Sequence, residues 1–203
     1  MLDKWVRPLI DKPLNAVGKK LSKRGIKADT VTLIGFGFGI VSLWSVASGL
    51  LTQGLIFFWL NRVFDGLDGS VARASKLTDR GGFLDIVCDF IIYAGFVFAF
   101  AIHKPEMMFW ALFLIFSFIG ATTTFLAYAI LAAKREKITQ ERGHKSFFYL
   151  GGLSEGAETI IALSLMCLQP SYFQWIALIF GSMCWLTTLG RSLQAWRDFK
   201  DVS

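Results

Sequence analysis

The chain has 203 residues, of which 54% are hydrophobic, 15% aromatic and only 18% charged. A soluble domain carries about 25% charged residues. The deficit, with seven Trp and twenty Phe, excludes an ordinary soluble domain and implies an integral membrane protein. The net charge of +6 invites a nucleic-acid partner, but Lys and Arg cluster between apolar segments and form no stripe on a soluble face. Anionic lipid headgroups are the expected partner, and no nucleic acid is. Cys88, Cys167 and Cys184 lie in apolar segments without metal-ligand spacing, as small buried hydrophobes do.

Residues 1–28 are too polar to span a membrane. Leu2, Trp5, Leu9, Leu14, Val17 and Leu21 recur near helical spacing among charges, which predicts an amphipathic helix lying on the membrane surface, interrupted near Pro8 and Pro13. From 29 to 203 the chain reads as one membrane domain. Six apolar segments approach the ~20 residues a span needs: 31–50, 53–75, 82–102, 108–133, 153–169 and 172–193. The expected fold is therefore all-α, with six transmembrane helices and an N-terminal surface helix. Of the 21 Lys and Arg, 19 fall in the first 30 residues, in the 73–80 and 134–145 connections, or from Arg191 onward. The alternate connections hold only Lys104. The positive-inside rule thus puts both termini in the cytoplasm. Gly35-x-x-x-Gly39 suits close helix packing, within a protomer or between two.

The second segment is the least apolar. It opens the stretch DGLDGSVARASKLTDRGGFLDIVCD, residues 65–89. Residues three and four apart share a helix face, so Asp65 pairs with Asp68 on one helix and Asp85 with Asp89 on the next. A short connection makes these helices antiparallel neighbours, and the two pairs can face each other. Four carboxylates converging in a low dielectric repel strongly. An oxygen-binding divalent cation relieves that, which suits Mg²⁺, Mn²⁺ or Ca²⁺ more than Zn²⁺. One Asp at a helix N-terminus is ordinarily a cap, and Asp65 could pair with Arg62 at i+3. Those readings account for two acids; intramembrane ionisable groups point to function. Gly69 clears space beside Asp68, Ala72 stays small on the same face, Arg73 offers a planar fork to phosphate, and Gly81 permits close approach at the hairpin.

Asp65-x-x-Asp68-Gly69-x-x-Ala72-Arg73 followed by Gly81-x-x-x-Asp85-x-x-x-Asp89 resembles the CDP-alcohol phosphotransferase motif. Eight such identities coincide by chance on the order of 10⁻¹⁰ per start position. Six spans, cytoplasmic termini and a surface helix are similar to the family's architecture. Asp29-x-x-Thr32 resembles its Asn-x-x-Thr, with Asp for Asn. Seven residues separate Arg73 from Gly81, where the family has eight or nine; the difference falls in the connecting loop.

The resemblance implies transfer of a substituted phosphoryl group from a CDP-linked donor to an alcohol, with release of CMP. It implies one or two Mg²⁺ or Mn²⁺ ions on Asp65, Asp68 and Asp85. Asp89 would be the general base and a further metal ligand. Gly69, Ala72, Arg73 and Gly81, with Asp29 and Thr32, would line the CDP site, on the cytoplasmic side of a plasma (inner) membrane. It also implies a homodimer. The leading expectation is phosphatidyl transfer from CDP-diacylglycerol to a polar alcohol. One alternative is phosphocholine or phosphoethanolamine transfer from its CDP ester to diacylglycerol; another, of a different class, is a divalent-cation transporter. For the acceptor site, Lys145 and Arg191 favour an anionic alcohol, whereas Glu155 and Glu158, which also suit a helix N-terminus capped by Ser154, favour an amine- or hydroxyl-bearing one.

Overall fold

The computed structural model describes residues 3–141 and 152–200, which are helical with short connections and contain no strand. Seven helices follow in chain order: α1 Asp3–Lys23, α2 Ala28–Ala47, α3 Leu51–Ala74, α4 Asp79–His103, α5 Met108–Glu141, α6 Gly156–Leu168 and α7 Phe173–Asp198. Single 3₁₀ turns, each opened by a proline, precede α5 and α7 (Pro105–Met107 and Pro170–Tyr172).

Four of these helices, α2, α4, α5 and α7, are long and apolar enough to cross a membrane. The expectation of six rests also on α3 and α6, which fall outside that measure of length and apolar character for different reasons. α3 has the length, at 24 residues, but Asn61, Arg62, Asp65, Asp68 and Arg73 dilute its apolar character. α6 is apolar but only 13 residues long, about 20 Å at 1.5 Å per residue. It begins at 156 rather than 153 because Glu155, not Ser154, is the N-cap. Glu155 and Glu158 form a reciprocal capping box there, satisfying donors that the first helical turn leaves open. The extended residues before it are tied to α7. The Leu153 and Ser154 amides donate to the Thr187 hydroxyl at 3.0 and 3.1 Å, so the backbone is paired within the protein, as depth in a membrane requires.

α1 is one unbroken helix through both prolines, where an interruption was expected. A proline costs about 3 kcal/mol in a helix interior, and packing against α3 offsets it. Gly18 of α1 lies so near α3 that a Cβ there would stand 2.7 Å from the Ser70 Cβ and 2.8 Å from its backbone carbon. Leu14 and Leu21 join Val31, Leu67 and Val71 in a small core that ties α1 and α2 to α3. The larger core stacks Phe58, Phe96, Phe100 and Phe173, fully buried, between α3, α4 and α7. α2 packs against both α3 and α4. Gly35 and Gly39 serve that contact inside the protomer, where a Cβ would meet the Phe64 Cβ at 2.8 Å or Ile92 Cδ1 at 2.4 Å. Trp44, Phe109, Phe116, Ile130, Trp175 and Trp196 face outward, the apolar exterior that suits contact with lipid.

Candidate metal and nucleotide site

α3 ends at Ala74 and α4 starts at Asp79, so the four aspartates sit where an antiparallel pair meets its connection. Thr78 starts α4 by accepting the Gly81 amide at 3.1 Å on its hydroxyl. That cap sets Asp85 and Asp89 in the first turns of α4, opposite the last turns of α3. One carboxylate oxygen from each of Asp65, Asp68 and Asp85 lies within 4.8 Å of the others. Asp68 is 4% exposed, and its Oδ2 is buried without a hydrogen-bond partner among the described residues. An unmet buried carboxylate oxygen is costly, and two half-buried carboxylates beside it add repulsion. A hard divalent cation answers both demands, and an all-oxygen set of three carboxylates is the donor chemistry Mg²⁺ and Mn²⁺ take. The residues therefore fit such an ion.

Asp89 is outside this trio but adjoins Asp65. Its Oδ1 accepts from Arg62 Nη2 at 2.8 Å. Arg62 also approaches Asp65 Oδ2 at 3.5 Å, so the i+3 pair read from the sequence exists, in company with a contact 27 positions away. No sequence spacing reveals that second contact. The clue was a lone arginine inside an apolar helix, with Tyr93 one turn beyond Asp89.

Beside the trio opens a cavity of ≈ 530 Å³ lined by the α1–α2 junction, the end of α3 and the start of α4. Asp68 and Asp85 form its inner wall. Asp29, Thr32, Gly69, Ala72, Arg73 and Gly81 all line it, so the structure gathers every residue expected at the nucleotide site around one space. Thr32 adjoins the Asp68 carboxylate and donates to the Ala28 carbonyl at 3.1 Å. A Cβ on Gly81 would stand 3.0 Å from Thr78 Oγ1 and 3.3 Å from Asp29 Oδ1, so its absence lets α4 start against α2. Arg73 is held at the rim by Ser70 Oγ at 3.0 Å and Asn15 Oδ1 at 3.3 Å, the latter from α1. Lys27 and Lys76 also line the cavity. Sequence reading passed over both, since lysines near span ends serve first as membrane anchors.

A second cavity of ≈ 390 Å³ lies between α4, α5, α6 and α7, with Tyr93, Glu155 and Arg191 on its walls. Arg191 is 8% exposed, donates to the Ala121 carbonyl at 3.1 Å and lies over the Phe125 ring. Its Nε is buried without a partner among the described residues. Glu158 does not line this space; its carboxylate accepts the Glu155 amide in the capping box at 3.2 Å. Lys145 lies outside the described residues.

The model of the family described as CDP-alcohol phosphatidyltransferase matches residues 26–188. The chain is 45% identical over 203 residues to the inner membrane protein YnjF of Escherichia coli (strain K12), covering all of this chain and 98% of that one. It is 34% identical over 104 residues to the archaetidylinositol phosphate synthase of Pyrococcus horikoshii, spanning about half of each chain (50% and 54%). Among solved structures, it resembles the phosphatidylinositol phosphate synthase of Mycobacterium tuberculosis with CDP-DAG bound, at a TM-score of 0.69 and 19% identity. That likeness covers 94% of this chain and 98% of the other. A structure of the same synthase with manganese and citrate gives a TM-score of 0.62 at 18% identity, covering 94% and 93%. These two likenesses concern the fold.

Proposed function

Because the chain belongs to the CDP-alcohol phosphatidyltransferase family and is a multi-pass integral membrane protein, we propose that it transfers a phosphatidyl group from CDP-diacylglycerol to a polar alcohol, releasing CMP. The observation that carries this reading is the convergence of Asp65, Asp68 and Asp85, with Asp68 and Asp85 on the wall of the cavity that Asp29, Thr32, Gly69, Ala72, Arg73 and Gly81 also line. A fold relative that binds CDP-DAG, and the same relative with manganese, support the donor and a divalent ion.

Asp65, Asp68 and Asp85 would hold the ion, which when bound would neutralise charge on the diphosphate and stabilise the departing CMP. The cavity takes the cytidine and ribose against the α1–α2 junction. Arg73, Lys27 and Lys76 offer donors to phosphate oxygens. Asp89 accepts the proton of the acceptor hydroxyl as its oxygen attacks the lipid-linked phosphorus and the bond to CMP breaks. A carboxylate is a weak base toward an alcohol, so alignment of the two substrates supplies a large part of the rate. The second cavity serves the acceptor, whose polar group meets Arg191 and Glu155. The cytoplasmic charge bias puts the nucleotide side in the cytoplasm, α3 and α6 complete six crossings, and the protein works as a homodimer, with residues 1–28 on the membrane surface and 29–203 forming the catalytic domain.

Product analysis in lipid nanodiscs tests this, with CDP-diacylglycerol, Mg²⁺ or Mn²⁺, and separately inositol 1-phosphate, glycerol 3-phosphate, inositol or serine. A new phospholipid with one acceptor, absent under EDTA, is expected. Product only from CDP-choline or CDP-ethanolamine and diacylglycerol would reverse donor and acceptor. No product from any pair, in a protein that does not bind CDP, would contradict the reading.

A further inference from the structure

Arg62 has no place in the chemistry described so far, yet it is a buried charge with four side-chain hydrogen bonds. Its side chain is 4% exposed. Nε and Nη2 donate to Asn61 Oδ1 at 2.9 and 2.6 Å. Nη1 donates to the Tyr93 hydroxyl at 2.6 Å, and Nη2 to Asp89 Oδ1 at 2.8 Å. The guanidinium also lies 4.6 Å from the Tyr93 ring centroid. A buried charge survives only when paired and hydrogen-bonded, and here every arm of the fork has a partner. The mount is rigid as well. Asn61 donates to the Gly35 carbonyl at 2.9 Å, and a Cβ on Gly39 would stand 3.2 Å from Asn61 Nδ2. α2 thus fixes Asn61, Asn61 fixes Arg62, and Arg62 fixes Asp89.

The guanidinium reaches both Asp65, at 3.5 Å, and Asp89, at 2.8 Å, two carboxylates that adjoin each other. Arginine stays charged at any accessible pH, so this positive charge is permanent. We propose that Arg62 is the built-in cation of this site: it neutralises the adjoining Asp65 and Asp89, limits the site to one divalent ion on Asp65, Asp68 and Asp85, and keeps Asp89 out of the metal set. A second dication bridging Asp65 and Asp89 would have to displace Arg62 from Asp89 and leave a buried guanidinium facing a dication. Arg62 is then a positioning residue. It holds one oxygen of Asp89, which orients the carboxylate toward the incoming hydroxyl.

This inference rests on the transferase reading and refines its metal count. Mn²⁺ titration of the purified protein in nanodiscs with CDP present, read as free Mn²⁺ by electron paramagnetic resonance, tests it. One Mn²⁺ per protomer is expected for the wild type and for Arg62→Lys, which keeps a cation, and two for Arg62→Gln. CMP release by Arg62→Gln should fall by about 100-fold, as misplacement of a reacting group costs, with partial recovery in Arg62→Lys. Two ions in the wild type would overturn the inference and leave the transferase reading standing, as would one ion in a folded Arg62→Gln. If Arg62→Gln does not fold, the wild-type count decides. Absence of both Mn²⁺ and CDP binding in the wild type would overturn both.

Discussion

Asp68 combines a 4% exposed side chain with an oxygen that no neighbour satisfies. Such a group costs stability in the metal-free protein and returns it when an ion binds. Asp68→Asn should therefore leave the metal-free melting temperature unchanged or raise it, while Mn²⁺ affinity falls by at least about 10–100-fold, the scale of even an outer-shell loss. Thermal unfolding with and without Mn²⁺ reads both effects, and a variant still stabilised by Mn²⁺ as the wild type is would remove Asp68 from the site. Asp89→Asn keeps the shape and removes the proton acceptor. Turnover should fall by about 10²–10⁴-fold with CDP affinity retained, as separate kinetic and binding measurements would show. The pairing of Asp65 with Asp68 and of Asp85 with Asp89 was legible because helical period alone puts each pair on one face. The bond from Arg62 to Asp89 was not, because the azimuth of one helix against another is set by side-chain packing that a single sequence does not encode locally.

Among the elements, α1 shows how a helix with weak intrinsic prospects is held by a neighbour. Its apolar positions were visible, but its continuity through Pro8 and Pro13 depends on contact with α3, a long-range fact. At Gly18, within that contact, any side chain would press on the Ser70 backbone, and backbone cannot rotate away. Gly18→Ala should cost about 1–3 kcal/mol, the range for overpacking a tight contact. Asn15, which α1 contributes to Arg73, would shift with it, so CDP affinity should weaken too. A melting curve identical to the wild type would mean that α1 is not held in this way. α6 teaches a related lesson. Ser154 looked like the cap by residue preference, but its hydroxyl lies 3.0 Å from Thr187 Oγ1 on α7, and the capping passes to Glu155 and Glu158. Local preference was overridden by a bond between helices.

At the level of the whole molecule, the segregation of basic residues is the ground for the proposed orientation, with both termini and the acidic α3–α4 hairpin on the cytoplasmic side. Single cysteines at Lys76 and Glu106, in a background with Cys88, Cys167 and Cys184 replaced by alanine, test that orientation. Both native positions are exposed. In right-side-out vesicles, Glu106→Cys should react with a membrane-impermeant maleimide and Lys76→Cys should not; the reverse pattern would invert the topology. Composition and charge made the membrane class readable at once, because bilayer thickness and lipid charge impose length and sign on the chain. The expectation of six crossings was less directly readable, since α3 carries Asn61, Arg62, Asp65, Asp68 and Arg73 among its apolar residues and α6 is only 13 residues long with a capped start. The central claim is that this acidic hairpin performs metal-assisted phosphatidyl transfer. Its most direct measurement is CMP release from CDP-diacylglycerol by the nanodisc-embedded protein, supplied with the pooled polar alcohols, before and after EDTA and again after excess Mn²⁺. The account predicts release that stops with EDTA, returns with Mn²⁺ and is lost in Asp89→Asn. Release that persists in EDTA, or at an undiminished rate in Asp89→Asn, would contradict it.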